Sequence, residues 1–283
     1  MKIILLKINK HPFLFIFMLK ILFNSKKAER HPIEMFFVAL FYSSISIIVG
    51  SWIFPEYASL IAVFFTVISC LYVTQGAIRR EESKEQYFRE KALLVEHKKP
   101  LFLFLWLFIG IVVSFAFFTS VLPMEKSTQL FSIQQSVLDG IRGSVTGNSI
   151  GSGEVFGIIF QNNLKVIFIS LIISLIYGAG AIFILTWNAS IMGYVIGSII
   201  SEHGIISVPV AFLKYFLHGL PEMFSYFMVI LAGGIIYSAI LKGDLSKEIK
   251  STKILKDVFV LIGLAIVLMS FAAVIEVFVS PLI

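Results

Sequence analysis

The chain has 283 residues, of which 58% are hydrophobic and only 14% are charged, and its mean hydropathy is +0.94. These values lie outside the range of soluble globular domains and indicate a multi-pass membrane protein. The net charge of +6 does not point to nucleic acid, because the cations lie beside apolar stretches and do not form one basic face. A single cysteine, Cys70, excludes an internal disulfide. No zinc-ligand spacing is present, so neither a metal nor another cofactor is predicted.

The first 32 residues are predicted to form a cytoplasmic amphipathic arm. Three lysines precede a short apolar run from Pro12 to Phe23, which itself contains Lys20. This run is too short to cross a bilayer, and no small-residue cleavage site follows it. We expect a helix lying at the inner membrane surface. The alternative is a weak uncleaved anchor.

Residues 33–75 predict a transmembrane hairpin with a tight external turn at Pro55-Glu56-Tyr57. Residues 76–100 carry closely spaced charges of both signs and predict a solvated cytoplasmic helix. Residues 101–283 are predicted to form the core transmembrane domain. The first three spans are expected at Met35 to Phe54, Ala58 to Thr74 and Leu101 to Val121.

An outer segment, residues 124–155, follows the third span. Its apolar residues recur at helical spacing, which predicts a short amphipathic helix on the outer surface. They are Leu130, Ile133, Val137, Leu138 and Ile141. The glycine- and serine-rich residues 143–153 then predict a flexible loop. Because these glycines follow no strand, a phosphate-binding loop is not indicated.

The second half of the chain is less regular. Spans are predicted at about Leu164 to Leu185, Glu222 to Leu241 and Val258 to Val279. Two shorter apolar pieces, residues 189–200 and 206–218, lie between them. The sequence therefore predicts an all-α, polytopic bundle of six or seven spans, with short or re-entrant helices between residues 186 and 221.

The distribution of basic residues predicts the sidedness of the spans. Residues 1–32 and 76–100 hold seven Lys or Arg each, and residues 242–256 hold five, of 23 in all. Placing these three segments in the cytoplasm requires the chain to cross outward between residues 186 and 221. The N-terminus is then cytoplasmic and the C-terminus is outside.

Two stripes of small residues occur at four-residue intervals, a pattern that lets helices approach closely in lipid. Ser170, Ser174 and Gly178 form one stripe, and Ala189, Gly193 and Gly197 form the other. We expect the two stripes to meet, or one of them to meet its copy in a second subunit.

Four polar residues in apolar surroundings form a candidate polar site: Asn188, His218, Glu222 and Glu276. Asn188 is expected to cap the following helix, with ligand binding as the alternative. Gly219 and Pro221 are expected to end one helix and begin the next. This leaves His218 and Glu222 as a titratable pair at or near membrane depth, which is a functional-site hypothesis. No catalytic triad or metalloprotease helix is present, so no catalytic residue is assigned.

The sequence resembles the stage II sporulation protein M family in its archaeal-type branch. The matching stretches are Ala28-Glu-Arg-His-Pro32, Asn162-Asn163-Leu-Lys-Val166, Tyr177-Gly-Ala-Gly-Ala181, Trp187-Asn-Ala-Ser190, His218-Gly-Leu-Pro-Glu222 and Ala232-Gly-Gly234. The resemblance implies a polytopic protein of the cell membrane with no established catalytic activity. It also implies kinship with a bacterial member of the engulfment complex, which works beside partners that degrade or anchor to peptidoglycan. The chain departs from the bacterial form in its N-terminal arm and its additional hairpin. It also has Leu217 before the histidine motif, where bacterial members have proline.

Two functions from different classes remain open at this point. The first is a non-enzymatic scaffold or assembly factor, whose partners are the lipid bilayer, a second copy of the chain or other membrane proteins. The second is a transporter, channel or lipid-handling protein with a site near His218 and Glu222.

Overall fold

The computed structural model describes residues 33–84, 98–146, 151–177, 182–246 and 248–280. The predicted N-terminal arm and residues 85–97 of the charged segment lie outside these ranges. Nearly all of the described residues are helical, and no strand occurs among them. The prediction of an all-α bundle is therefore confirmed.

Nine α-helices follow one another in the described residues. They are α1 (Glu34–Ile53), α2 (Ala58–Lys84), α3 (Lys98–Val121), α4 (Met124–Leu130), α5 (Ser132–Thr146), α6 (Ser152–Tyr177), α7 (Ile182–His203), α8 (Val208–Lys242) and α9 (Glu248–Phe278). Short 3-10 turns at Pro55–Tyr57, Ile205–Ser207 and Asp244–Ser246 join three of the pairs.

Six segments in the described part of the chain are long and apolar enough to cross a membrane. They are Glu34–Ile53, Lys98–Val121, Ser152–Tyr177, Ile182–His203, Ile205–Lys242 and Ser251–Phe278. The apolar stretch Pro55–Leu71, which comprises a 3-10 turn and the first half of α2, is shorter. It nevertheless pairs closely with α1, because Gly50 lies where an added Cβ would be 2.7 Å from the Ala58 carbonyl oxygen.

Helix α8 is the centre of the bundle. It packs against α9, α6, α7, α2 and α3. Every residue from Ser225 to Ile235 is buried, and Tyr226 and Phe227 are completely inaccessible. The aromatic ring of Phe227 lies 5.8 Å from that of Phe104 on α3. This contact joins the middle of α8 to the third helix.

The short helices expected between residues 186 and 221 are not what the structure contains. The fourth span ends at Tyr177 and not near Leu185, so α7 starts at Ile182 and is long enough to cross. Helix α8 is also continuous, and Pro221 lies in its interior. Lipid offers no water to satisfy free backbone groups, and this favours continuing a helix through proline over ending it. One helix that is long enough to cross, α7, therefore replaces the first of the two short pieces that were predicted between residues 186 and 221.

The outer segment is anchored to the bundle by a few buried side chains, while many of its other described residues are exposed. Phe131, at the junction of α4 and α5, is completely buried, with its ring 5.6 Å from Phe115 on α3 and 5.9 Å from Tyr194 on α7. Helix α5 also extends to Thr146 and α6 begins at Ser152. Most of the described residues in the predicted loop are therefore helical.

The two small-residue stripes pack against different helices. A Cβ on Gly193 would lie 2.6 Å from the Phe115 Cβ, and one on Gly197 would lie 2.5 Å from the Thr119 Cβ. The contact moves from Phe115 to Thr119 on α3 as it moves from Gly193 to Gly197 on α7, so the two helices run parallel and in close contact. The stripe on α6 instead meets α8, where Gly233 faces the Cβ of Ser174. The expectation that the stripes meet each other is wrong, and Gly178 lies outside the described residues.

Candidate functional site

The polar residues predicted on the last two spans are brought together by the packing of α8 on α9. Tyr226 donates a hydrogen bond of 2.7 Å to Oε1 of Glu222, one helical turn away. The carboxylates of Glu222 and Glu276 are close enough to interact electrostatically across the two helices. Both carboxylate side chains are half-buried, whereas Tyr226 is completely buried. The tyrosine hydroxyl therefore holds one carboxylate in place from within the core.

His218 belongs to the same α8–α9 contact, although it bonds a different residue. Its Nδ1 lies 2.9 Å from Oγ of Ser280, which is buried just beyond the end of α9. The imidazole ring also makes an edge-to-face contact with Tyr215, at a centroid distance of 6.2 Å. Neither Gly219 nor Pro221 interrupts the helix, so His218 and Glu222 lie one turn apart on continuous α8.

Asn188 does not join this group. It lies in the interior of α7, and its Nδ2 donates a 2.8 Å hydrogen bond to the carbonyl oxygen of Ile184 in the same helix. The prediction that Asn188 caps a helix is wrong, because α7 begins at Ile182, seven residues before the position that a cap at Asn188 would give it. Its neighbour Trp187 instead stacks on Phe183, with the ring centroids 6.3 Å apart.

A second buried polar contact was not predicted from the sequence. Nε2 of Gln134 on α5 donates a 3.1 Å hydrogen bond to Oγ of Ser190 on α7, and both side chains are completely buried. The signal is the position of Gln134 midway between Leu130 and Leu138, on the apolar stripe of its helix. A polar residue on such a stripe indicates a partner in the bundle and not a surface position.

The described residues contain no group of three or more His, Cys, Asp or Glu side chains placed to hold a metal ion. The polar contact between α8 and α9 can therefore do two things. It can lock α8 to α9 through hydrogen bonds, or it can offer polar groups to a ligand that reaches the contact.

Tyr226→Phe is expected to destabilise the protein by about 1–3 kcal/mol, because it leaves a half-buried carboxylate without its donor. The free energy of unfolding in mixed detergent micelles measures the effect. Tyr177→Phe is the matched control, since Tyr177 is 64% exposed at the end of α6. Equal stability of the two variants would contradict a structural role for the Tyr226–Glu222 bond.

The long apolar helices and their buried polar contacts define the chain as a polytopic α-helical integral membrane protein. Residues 101–281 match the family model for SpoIIM, described as Stage II sporulation protein M. This is more than half of the chain, which therefore belongs to the SpoIIM family. The matched region begins at the third helix and excludes the hairpin of α1 and α2. The chain has no match among curated proteins or among solved structures.

Proposed function

We propose that the protein is a non-enzymatic membrane scaffold or assembly factor of the archaeal-type branch of this family. The branch assignment is supported by the additional hairpin that precedes the family region. The scaffold role is supported chiefly by one feature, the outward face of α6. This face combines small residues with an amide side chain, which suits it to contact another membrane helix.

Helix α6 has one face in the bundle, and its exposed side is mostly apolar except for a group of polar residues in its first half. Asn163, Ile167, Ser170 and Ser174 are its buried residues, all on the side that meets α8 and α9. Gln161, Asn162 and Lys165 are exposed. Gln161 lies about 14 Å along the axis from the first residue of the helix, which places it inside a segment long enough to span the membrane.

Two glycines continue the exposed face toward the start of the helix. Gly153 and Gly157 are four residues apart, and nothing lies within 4 Å of a Cβ added to either one. In contrast, Gly193 and Gly197 have the same spacing and are fully used against α3. Small residues with a nearby amide favour association of membrane helices, because the backbones approach and the amide finds a partner.

A second copy of the chain is the partner that this face fits best. An amide side chain both donates and accepts hydrogen bonds, so Gln161 can pair with its own copy across a twofold axis. We expect a cysteine at position 161, in a Cys70→Ala background, to cross-link two chains in native membranes. Phe259→Cys in the same background is the control, since Phe259 is 71% exposed on α9 and has no such neighbours.

The cross-linked products distinguish the possible partners. A product of twice the chain mass at position 161, and none at position 259, supports self-association. A product of another mass, also specific to position 161, supports a scaffold that binds a different membrane protein. Only monomer at both positions contradicts the proposal.

The proposed orientation has a cytoplasmic N-terminus and an external C-terminus in the cell membrane. The positions of the basic residues support it. A cysteine at Glu125 is expected to react with an impermeant reagent added to intact cells, and a cysteine at Lys253 is expected to react only after lysis. Labelling of both on intact cells would exclude this orientation.

The polar contact between α8 and α9 favours a second candidate function, a transporter, channel or lipid-handling protein. Glu222 and Glu276 interact electrostatically there, and Glu222 accepts a hydrogen bond from a completely buried tyrosine. Carboxylates inside a membrane bundle often mark an ion or proton path. Flux and lipid-scrambling assays in liposomes, with wild type compared with Glu222→Gln, test this function. Activity that is lost in the variant would replace the scaffold proposal, and inactivity of both proteins would support it.

A further inference from the structure

Lys165 lies at the middle of α6, a helix that is long enough to cross the membrane. It follows Ser152 by 13 residues and precedes Tyr177 by 12. At about 1.5 Å per residue the helix is about 39 Å long, whereas the hydrocarbon core of a bilayer is about 30 Å thick. Wherever that core falls along the helix, the backbone of Lys165 is therefore about 9 Å or more from either boundary. Among the described residues, no other lysine or arginine lies near the midpoint of such a segment.

The neighbours of Lys165 show that this part of α6 belongs to the body of the bundle. Asn163 and Ile167 precede and follow it by two residues, and both are buried. The exposed side chains of the next turn are apolar: Phe168 is 62% exposed and Ile169 is 49% exposed. Lys165 therefore projects from a surface that lipid or another membrane protein covers, and not from the end of a helix.

The ammonium group of Lys165 has no partner in the part of the chain that the structure describes. The side chain is exposed, and no described residue forms an ion pair or a hydrogen bond with it. A charged side chain is costly near the bilayer centre, and lysines found there usually pair with carboxylates. Lysines near helix ends can reach the head groups instead. Because Lys165 is far from both ends of α6, it calls for an acidic partner at its own depth.

A second copy of the chain does not offer this carboxylate. Glu222 and Glu276 interact with each other within the α8–α9 contact. The other carboxylates of the described residues lie toward the ends of the membrane helices or outside them. A dimer formed through Gly153 and Gly157 leaves Lys165 available, because helices that cross at such glycines at about −40° diverge further along.

We propose that Lys165 binds a carboxylate at the middle of a transmembrane helix in a second membrane protein. The inference rests on the proposed scaffold role, for which it names the chemistry of one partner, and it does not require self-association. Asn162 lies three residues before Lys165 on the same side of the helix, and its exposed amide can donate to the same carboxylate. Phe168 and Ile169 offer apolar contacts to the rest of the partner helix.

The test uses the full chain in phosphatidylcholine liposomes, with a synthetic transmembrane peptide as the probe. The peptide is a leucine–alanine helix of about 20 residues with one glutamate at its centre, and the control peptide has leucine there. Energy transfer from the labelled peptide to a label on Glu125→Cys, in a Cys70→Ala background, measures their association. We expect the glutamate peptide to bind about tenfold or more tightly than the leucine peptide.

Lys165→Leu is expected to abolish this preference. Its Tm without peptide should not fall below that of the parent chain, because the exposed ammonium bonds no described residue. Lys126→Leu removes an exposed lysine from the outer segment, is the matched control and should keep the preference. Lys165→Glu should instead prefer a peptide with a central lysine, which a purely structural role of this residue does not predict.

Equal binding of the two peptides by the parent chain, or a preference that survives in Lys165→Leu, would overturn the proposal. If Lys165 reaches phospholipid head groups instead, the two peptides bind equally and Lys165→Leu lowers Tm, which also overturns it. The cross-link at position 161 does not involve Lys165. Failure of this pairing is therefore distinguishable from failure of the scaffold role.

Discussion

Gly193→Leu is expected to prevent α7 from packing against α3 and to unfold a large part of the bundle. A Cβ at this position would lie 2.6 Å from the Phe115 Cβ and 2.7 Å from the carbonyl oxygen of Val112. The second of these atoms belongs to the backbone, so it cannot move aside as a flexible side chain would. Overpacking usually costs about 1–3 kcal/mol, and a backbone obstruction in a parallel helix pair should exceed about 3 kcal/mol.

The matched control is Gly263→Leu in α9. Gly263 is also a glycine inside a membrane-spanning helix, but nothing lies within 4 Å of its added Cβ. We expect the control to keep wild-type yield and unfolding free energy in detergent, whereas Gly193→Leu should be recovered mainly as aggregate. Comparable stability of both variants would mean that the α3–α7 contact is not required for the fold.

The spans could be predicted from the sequence because lipid imposes a simple requirement on composition and length. Runs such as Leu101 to Val121 have almost no alternative to a membrane helix. The helix ends were harder to predict. Trp187 and Asn188 suggested a helix boundary, but both residues lie inside α7 (Ile182–His203). The sequence therefore predicted which segments form membrane helices more reliably than it predicted where each helix begins and ends.

The partners of the polar residues depended on long-range packing, which the sequence does not reveal. His218 and Glu222 were identified as a pair, but each of them bonds a different residue, Ser280 and Tyr226 respectively. Ser280 lies 62 positions further along the chain from His218, and no local pattern connects the two. Glu276 was named among the candidates because a carboxylate near a span end is conspicuous in an apolar helix, and its role in a site stays a prediction.

The same limitation explains the outer segment. Its amphipathic pattern correctly indicated a helix with one apolar face, but it could not indicate whether lipid or protein covers that face. The answer lies in Phe131 and Gln134, which are both completely buried against other helices. This segment therefore contributes to the bundle through these two side chains. A partner that bound this region from outside would contact a surface that is fixed to α3 and α7.

Phe131→Ala is accordingly expected to destabilise the protein by about 3–5 kcal/mol, the usual cost of removing a fully buried aromatic ring. The ring is completely buried and touches both Phe115 and Tyr194, so its loss leaves a void between α3, α7 and the α4–α5 junction. Phe117→Ala is the control, since Phe117 lies on α3 with 57% of its surface exposed and should cost less than about 1 kcal/mol.

Unfolding in mixed micelles measures both changes, and protease cleavage within residues 124–146 should increase in Phe131→Ala alone. If cleavage increased without a loss of stability, the outer segment would be able to detach from the other helices without unfolding them. Similar small effects of the two substitutions would show that the outer segment lies on the surface after all.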